Sequence, residues 1–231
     1  MEIAGSIALV TGANRGLGRV LATALLDRGA KTVYAAARNP ESITDPRLTP
    51  VRLDVTDPAS VAAAAELAAD ATLVVNNAGV GSNGSLLTAP DLDAARKVLE
   101  TNFFGPVNVS RAFAPILGRN SGGALVNVLS VLSWLAPPVT ADYSAAKAAA
   151  WSFTNSARWE LRGQGTLVVG VHVGYMDTDM AAHVEGPKVA PEDLARQVLD
   201  AVENGQEEVL GDELSRGVKA GLAGPVAAFE R

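Results

Sequence analysis

Tyr143 and Lys147 stand four positions apart in Tyr-Ser-Ala-Ala-Lys, the spacing at which two side chains leave a helix from one face at contact distance. A phenol so placed can hand a proton to a bound molecule or take one from it. In water it titrates near ~10, too high for ready exchange at neutral pH unless a neighbouring positive charge favours the phenolate. Lys147 is placed to supply that charge. Taken alone, the same spacing also describes an Ala-rich helix with one ring packed inward and one amine in water. The rest of the chain therefore has to show what else is brought to the pair.

At 231 residues, with no linker-like shift in composition, the chain is expected to form one α/β domain over 1–231. Its 48% hydrophobic content can fill a core, and no unbroken apolar run reaches membrane-spanning length. The opening Met-Glu-Ile-Ala-Gly lacks the basic segment and apolar stretch of a signal peptide, so a cytoplasmic location is expected. The absence of Cys agrees with that and excludes disulfides, a thiol nucleophile and a thiolate metal site. A formal charge of -6 disfavours nucleic acid and anionic membrane as partners. An anionic cofactor would need local positive charge and backbone N–H groups.

Ser6 to Thr11 is a short apolar run that reads as a buried parallel strand ending at Gly12. Thr11-Gly12-Ala13-Asn14-Arg15-Gly16-Leu17-Gly18 follows, and then Val20 to Leu26 has helical periodicity. Strand, Gly-rich turn and helix in this order suit a pyrophosphate: the glycines let backbone approach closely, and the helix N-terminus offers free N–H donors and partial positive charge. The TGxxxGxG spacing resembles the short-chain dehydrogenase/reductase family. The resemblance assigns the turn residues Gly12, Asn14, Arg15, Gly16, Leu17 and Gly18 to a nicotinamide dinucleotide.

Downstream motifs extend the resemblance over nearly the whole chain. A second strand, Thr32 to Ala36, ends at Ala37-Arg38-Asn39. In a dinucleotide fold this position faces the adenosine ribose, where an acid selects a free 2′-hydroxyl and a base a 2′-phosphate. Here there is no acid, and Arg38, with Arg15 as a second charge, favours NADP(H), although each Arg could also be a solvated surface charge. Asn39 to Pro50 leaves room for only a turn or two of helix. Val51 to Val55 is read as the third strand. Its Asp54, with Val55 beside it, resembles the family's adenine-contacting acid, while a turn-forming role before Thr56-Asp57-Pro58 stays equally open.

After a helix at Ser60 to Ala69, the strand Leu73 to Val75 runs into Asn76-Asn77-Ala78-Gly79, similar to the family's NNAG element, and Asn77, Ala78 and Gly79 are expected beside the cofactor. Leu92 to Leu117 reads as a long helix interrupted by Gly105-Pro106 and Pro115. Asn102, just before the break, matches the family's asparagine that sits in a helical kink and holds a proton-relaying water. Ala124 to Val128 delivers Ser130 to the carboxyl edge of the sheet, where open α/β sheets bind ligands. By its interval to Tyr143, Ser130 matches the family's serine, and Ser133 reads as a loop residue.

The helix carrying Tyr143 should run from about Ala141 to Arg162. Trp159 lies on its far face, suited to packing or a subunit contact, so a homo-oligomer, dimer or tetramer, is expected. Thr166 to Val173 reads as the sixth strand. Gly174 and Thr178 match the family's cofactor loop, but Val173 replaces its usual proline, a departure expected to loosen that loop. His172 reads as a structural histidine and His183 as a loop residue that could touch substrate. A helix from Ala190 to Asn204, the strand Glu208 to Leu210 and a helical tail from Glu213 to Phe229 complete the chain.

The fold implied is a single-domain doubly wound parallel sheet, a Rossmann fold with helices on both faces. The activity implied is NADPH-dependent reduction of a carbonyl, a ketone or aldehyde, or the reverse oxidation of an alcohol. Tyr143 would act as proton donor, Ser130 would hold the oxygen, Lys147 would tune the phenol and grip the ribose, and Asn102 would anchor the relay. Leu132, Trp134, Tyr175 and Met180, with Val80 and Met176, would form an apolar pocket for a small-molecule substrate. The alternatives are an NAD-dependent alcohol dehydrogenase and, in another class, a dinucleotide-sensing protein without catalysis, which should lack part of the Asn-Ser-Tyr-Lys set that this chain carries.

Overall fold

Apolar runs such as Ile-Ala-Leu-Val and Leu-Val-Val leave no face for water, so their strands must be covered on both sides. The computed structural model, which describes residues 1–82 and 84–224, shows how. Strands β1 (Ile7–Thr11), β2 (Thr32–Ala37), β3 (Thr49–Arg52), β4 (Leu73–Asn76), β5 (Ala124–Val128), β6 (Leu167–His172) and β7 (Glu208–Leu210) form one sheet in the order β3-β2-β1-β4-β5-β6-β7. Every pairing is parallel.

Successive strand residues feed opposite cores. Ala8 and Val10 of β1 face one side, where Leu17, Leu21 and Leu25 of α1 (Gly16–Asp27) meet Leu194, Val198 and Val202 of α6 (Pro191–Glu203). Leu9 faces the other, with Val61 of α2 (Pro58–Leu67), Val109 and Phe113 of α4 (Gly105–Arg119) and Ala157 of α5 (Ala141–Leu161). Two short helices, α3 (Asp93–Leu99) and α7 (Glu213–Gly221), complete the set. No helix among the described residues is long and apolar enough to cross a membrane.

A parallel sheet gathers the carboxyl ends of its strands on one edge, and the direction in which strands are added reverses between β1 and β4. At that reversal the two loops are locked together. Thr11 Oγ1 accepts from the backbone N–H of Asn77 and of Ala78, each at 3.0 Å, and Asn77 Nδ2 donates back to the Thr11 carbonyl at 2.9 Å. Gly18 lies directly behind this lock. A Cβ there would stand 2.2 Å from the Gly12 oxygen and 2.4 Å from Asn77 Nδ2, so only glycine lets α1 start this close to the strand ends.

Several boundaries differ from the sequence reading. The third strand is Thr49–Arg52, which leaves Asp54 and Val55 in the turn that follows. The crossover before it holds one 3-10 turn, Pro40–Ser42, in keeping with its short length. The long helix expected over Leu92 to Leu117 is two helices joined by a π-helical turn, Glu100–Phe104. The break therefore comes just before Gly105, whereas Pro115 stays inside α4. Close packing explains the glycine at the break: a Cβ on Gly105 would lie 2.7 Å from Val55 Cγ2. The tail is helical to Gly221, and the expectation of helix beyond residue 224 lies outside the described residues.

Gly18→Ala should destabilise the protein by about 1–3 kcal/mol or more, because backbone rather than a flexible side-chain tip opposes the new methyl. Chemical denaturation checks this, and the same variant should lose dinucleotide binding measured by fluorescence titration.

Candidate active site

The helix α5 carries Tyr143 and Lys147 on one face, as the spacing requires. Lys147 is buried, its ammonium donates to the Val128 carbonyl at 2.8 Å, and Nζ lies 5.6 Å from the centroid of the Tyr143 ring. Val128 ends β5, so the lysine ties the helix to the strand that delivers Ser130. Ser130 is buried, and its Oγ accepts from the Leu132 N–H at 3.1 Å and donates to the Val173 carbonyl at 3.4 Å. The same hydroxyl lies close enough to the Tyr143 phenol to act on its titration.

Dryness dominates the electrostatics. Burial pushes the Tyr143 phenol up to about 12, with the Ser130 hydroxyl opposing. Burial draws the Lys147 ammonium down to about 8. The sequence reading had the lysine lowering the phenol's pKa. In this chain the amine is committed to a backbone carbonyl, and desolvation decides the direction for both groups.

Asn102 is fully buried in the π turn, and its carboxamide clamps Val80 in both directions: Oδ1 accepts from the Val80 N–H and Nδ2 donates to the Val80 carbonyl, each at 2.9 Å. Gly79 must be small here, since a Cβ would sit 3.0 Å from Asn102 Oδ1. A buried chain of polar side chains lies behind. Asn76 Nδ2 donates to Asn127 Oδ1 at 2.9 Å, Asn127 Nδ2 to Thr154 Oγ1 at 2.9 Å, and Thr154 to the Ala150 carbonyl at 2.7 Å. This links β4, β5 and α5, so the three elements that present Asn77, Ser130 and Tyr143 share one hydrogen-bonded spine.

Residues expected to hold an anionic dinucleotide fit that task. Helix α1 begins at Gly16-Leu17-Gly18 with no acidic residue in its first turn and no side chain capping it, so its leading N–H groups face the cleft. Asn14 and Arg15 precede it, and Thr178 leans over it, with Cγ2 3.4 Å from where a Gly16 Cβ would be. Arg38 is exposed at the end of β2, and its charge reaches Asp54. The Asp54 carboxyl is held below its ordinary range by the Thr56 N–H and hydroxyl first and by Arg38 last. One carboxylate oxygen of Asp54 thus serves the turn. Arg15 is not free, for it pairs at 3.7 Å with Asp179, both side chains being largely exposed. A pair so exposed contributes at most about 1 kcal/mol.

Around the cleft, Tyr175 and Met180 are exposed, with Met180 Cγ 3.9 Å from the Cβ position of Gly81 across the opening, and Leu132 is partly buried. Trp134 turns away from this rim. Its ring stacks on His172 at 3.8 Å, meets Trp151 edge-on at 6.0 Å and lies under Lys219 Nζ. Met176 packs into the core shared by α1 and α6, and His183 is exposed. Ser133, read as a loop residue, is buried in the 3-10 turn Val131–Ser133. Trp159 is 75% exposed, on a face of α5 remote from Tyr143.

Three acids escaped the sequence reading. Asp142 is buried beside Tyr143, accepts from the Tyr143 N–H at 2.7 Å and holds Ser82. Asp179 holds Arg15. Asp212 accepts from the Gly174 N–H and from the Ser215 N–H, each at 2.8 Å, so the start of α7 fastens the loop after β6. That loop was expected to be loose with Val173 in place of proline; the Asp212 carboxylate takes up the fastening. The signal for it was Asp212 three positions before Ser215, the pattern of a helix cap. For Asp142 and Asp179 the sequence carried none.

The family model for short chain dehydrogenases matches residues 6–188. The 3-oxoacyl-(acyl-carrier-protein) reductase FabG of Salmonella typhimurium is 33% identical over 189 residues, which take in 78% of this chain and 77% of that one. A longer relative, short chain dehydrogenase tazN of Aspergillus terreus, is 34% identical over 208 residues, and the match takes in 83% of this chain and 45% of that one. Among solved structures, a short chain dehydrogenase from Burkholderia cenocepacia J2315 in complex with NADP has a TM-score of 0.95 at 44% identity, covering 100% of this chain and 98% of its own. A short chain dehydrogenase/reductase from Burkholderia phymatum in complex with NAD has a TM-score of 0.84 at 26% identity, covering 96% and 93%. With the model matched across most of its length and its strand ends assembled as that chemistry requires, the chain belongs to the short-chain dehydrogenase/reductase family of oxidoreductases.

Proposed function

We propose that the protein reduces an apolar ketone or aldehyde to an alcohol with NADPH. The observation that carries this reading is the gathering of Ser130, Tyr143 and the buried Lys147 ammonium, 5.6 Å from the Tyr143 ring centroid, at the sheet edge beside the open N-terminus of α1. The N-terminus of α1 and Arg38 would hold NADPH, which would supply hydride chemistry at the carbonyl carbon. The Ser130 hydroxyl holds the carbonyl oxygen as negative charge grows on it, and the phenol stands within reach of the same oxygen. A phenol near 12 is fully protonated at neutral pH, and it is still a far stronger acid than an alcohol, which resembles water at ~16. Proton transfer from Tyr143 to the nascent alkoxide therefore runs downhill, and oxidation, which needs the phenolate, is disfavoured until the solution is alkaline. Lys147 stands behind the phenol as the source of the replacement proton. With its carboxamide committed to Val80, Asn102 acts in that relay through the main chain of the π turn.

Preference for NADPH rests on Arg38 at the end of β2, with no acid there, and on Arg15, whose weak pair with Asp179 can open toward a phosphate. The relative solved with NADP supports this assignment, and the one solved with NAD keeps the other cofactor as the reading to beat. Carbonyl reduction is also the chemistry named for the Salmonella relative. Tyr175, Met180 and Leu132 favour an apolar substrate. The subunit is read as one domain, working in the cytoplasm as a homo-oligomer whose seam includes Trp159.

Mixing NADPH with a panel of ketones, aldehydes and quinones, and following the loss of nicotinamide absorbance, tests the activity directly. Tyr143→Phe should lower kcat by at least ~1000-fold while leaving NADPH affinity within about twofold, and retained turnover would sink the assignment.

Arg38→Asp should weaken NADPH binding by roughly 10- to 100-fold and leave NADH binding equal or tighter, as measured by fluorescence titration of both cofactors. Equal affinities for the two cofactors in the unmodified protein would return the choice to NAD.

Lys147 holds its charge below about 8 and loses it above. Reductive kcat/KM should therefore be level from about pH 6 to about pH 7 and fall through about 8, well before the phenol itself ionises. A profile flat to about pH 10 would remove Lys147 from the relay.

A further inference from the structure

The cleft chemistry makes no use of His172, yet this residue is wholly buried and lies against the serine at its centre. Its Nδ1 is 3.1 Å from the Ser130 carbonyl oxygen. A carbonyl only accepts, so Nδ1 carries the proton and Nε2 the lone pair. The ring is clamped by Trp134, stacked on it at 16°. Nε2 faces a Glu208 carboxylate oxygen on β7 at 3.9 Å, and that oxygen already accepts from Lys219 of α7 at 2.8 Å. Arg158 of α5 is the remaining charge that acts on the ring. No hydrogen-bond partner for Nε2 is found among the described residues.

An imidazole with one nitrogen left unpaired in the core is a poor space-filler, because a leucine or phenylalanine would occupy the place without desolvating a polar atom. What an apolar side chain cannot do is donate to Ser130. The Ser130 carbonyl also accepts from the Ser133 N–H at 3.0 Å, so the imidazole takes its second lone pair. Between them the two donors fix the peptide after Ser130 just where the chain leaves β5 and enters the 3-10 turn. The Ser130 side chain springs from that fixed point, accepting from Leu132 and donating to the Val173 carbonyl, close enough to the Tyr143 phenol to act on it.

We propose that His172 is a positioning residue for Ser130, its Nδ1–H holding the serine's carbonyl so that the hydroxyl stays aimed at Tyr143 and the substrate oxygen. This rests on the reading of Ser130 and Tyr143 as the pair that handles that oxygen. The clamp of Trp134, Lys219 and Glu208 keeps the ring in register, which connects the C-terminal helix to the chemistry without touching substrate.

The test uses the carbonyl that the unmodified protein reduces fastest in the panel, with NADPH, and four variants: His172→Leu, His172→Asn, Ser130→Ala and the double variant Ser130→Ala/His172→Leu. His172→Leu should lower kcat between about 10- and about 100-fold while NADPH affinity stays within about twofold. His172→Asn, which can place an amide N–H near the same carbonyl, should recover most of that loss. In the Ser130→Ala background, His172→Leu should cost no more than about a further twofold. Should the leucine variant fail to fold, His172→Phe, which can still stack on Trp134, carries the same expectations.

Unchanged kcat in the leucine variant, failure of asparagine to rescue, or full additivity with Ser130→Ala would overturn the proposal. So would loss of NADPH affinity in step with turnover, the mark of a merely structural role. If Ser130→Ala cripples turnover and His172→Leu is silent, only the positioning role falls. If Ser130→Ala itself turns over normally, or no carbonyl is reduced, the reading of the cleft falls and this inference with it.

Discussion

Burial of the Tyr143 and Lys147 pair is the constraint on which the rest of the site depends. Lys147 is buried and Tyr143 half-buried in front of it, and the loss of water shifts both toward their neutral forms. On the proposed reading, a protonated phenol and a lysine that gives up its proton at about 8 act as an ordered donor and reservoir. Exposing either group would restore its ordinary titration and remove the difference that gives the pair a direction. The architecture can therefore be understood as what keeps this face dry while leaving one edge open.

Keeping it dry makes partners for the buried polar groups nearby valuable, because each unpaired one costs free energy. The Asn76, Asn127 and Thr154 spine meets most of that need, Asn76 donating and Asn127 and Thr154 both donating and accepting, as it crosses from β4 through β5 to α5. Asn102 answers it again by clamping Val80 from both sides, and the Lys147 ammonium by taking the Val128 carbonyl. These bonds rigidify the parts that must not move relative to one another. The same residues that satisfy the core thus set the distances of the cleft, which is why fold and site are hard to separate in this protein.

Much of this was legible in the sequence. Unbroken apolar strands, the Gly-rich turn, the NNAG element and the Tyr-to-Lys spacing specify the parallel sheet and the gathering of Ser130, Tyr143 and Lys147 at one edge, because each is a local pattern with a local cause. The π turn at Glu100–Phe104 was legible only as a break, since Gly105-Pro106 marks an interruption without saying what form it takes. The direction of the phenol's shift was not legible at all. Spacing reports that an amine is near, whereas burial and the Val128 carbonyl decide what the amine does. Trp134 shows the same limit: an apolar residue in a loop beside the catalytic helix reads as a pocket wall, and long-range stacking on His172 turns it inward.

The C-terminal helix shows how a departure from the family pattern can be absorbed. Proline before Gly174 would stiffen the loop after β6 through its fixed φ, and Val173 cannot do that. In its place the Gly174 N–H is taken by Asp212, and the Val173 carbonyl receives both the Val131 N–H and the Ser130 hydroxyl. A Cβ on Gly174 would lie 2.7 Å from Asp212 Oδ2, so the glycine is what allows the carboxylate to come this close. Asp212 is also the residue that caps α7, and Lys219 on the same helix reaches Glu208 and the Trp134 ring. Stiffness that a ring would supply locally is supplied by a helix added beyond the last crossover, and the loop over the cofactor site is then only as steady as the packing of α7.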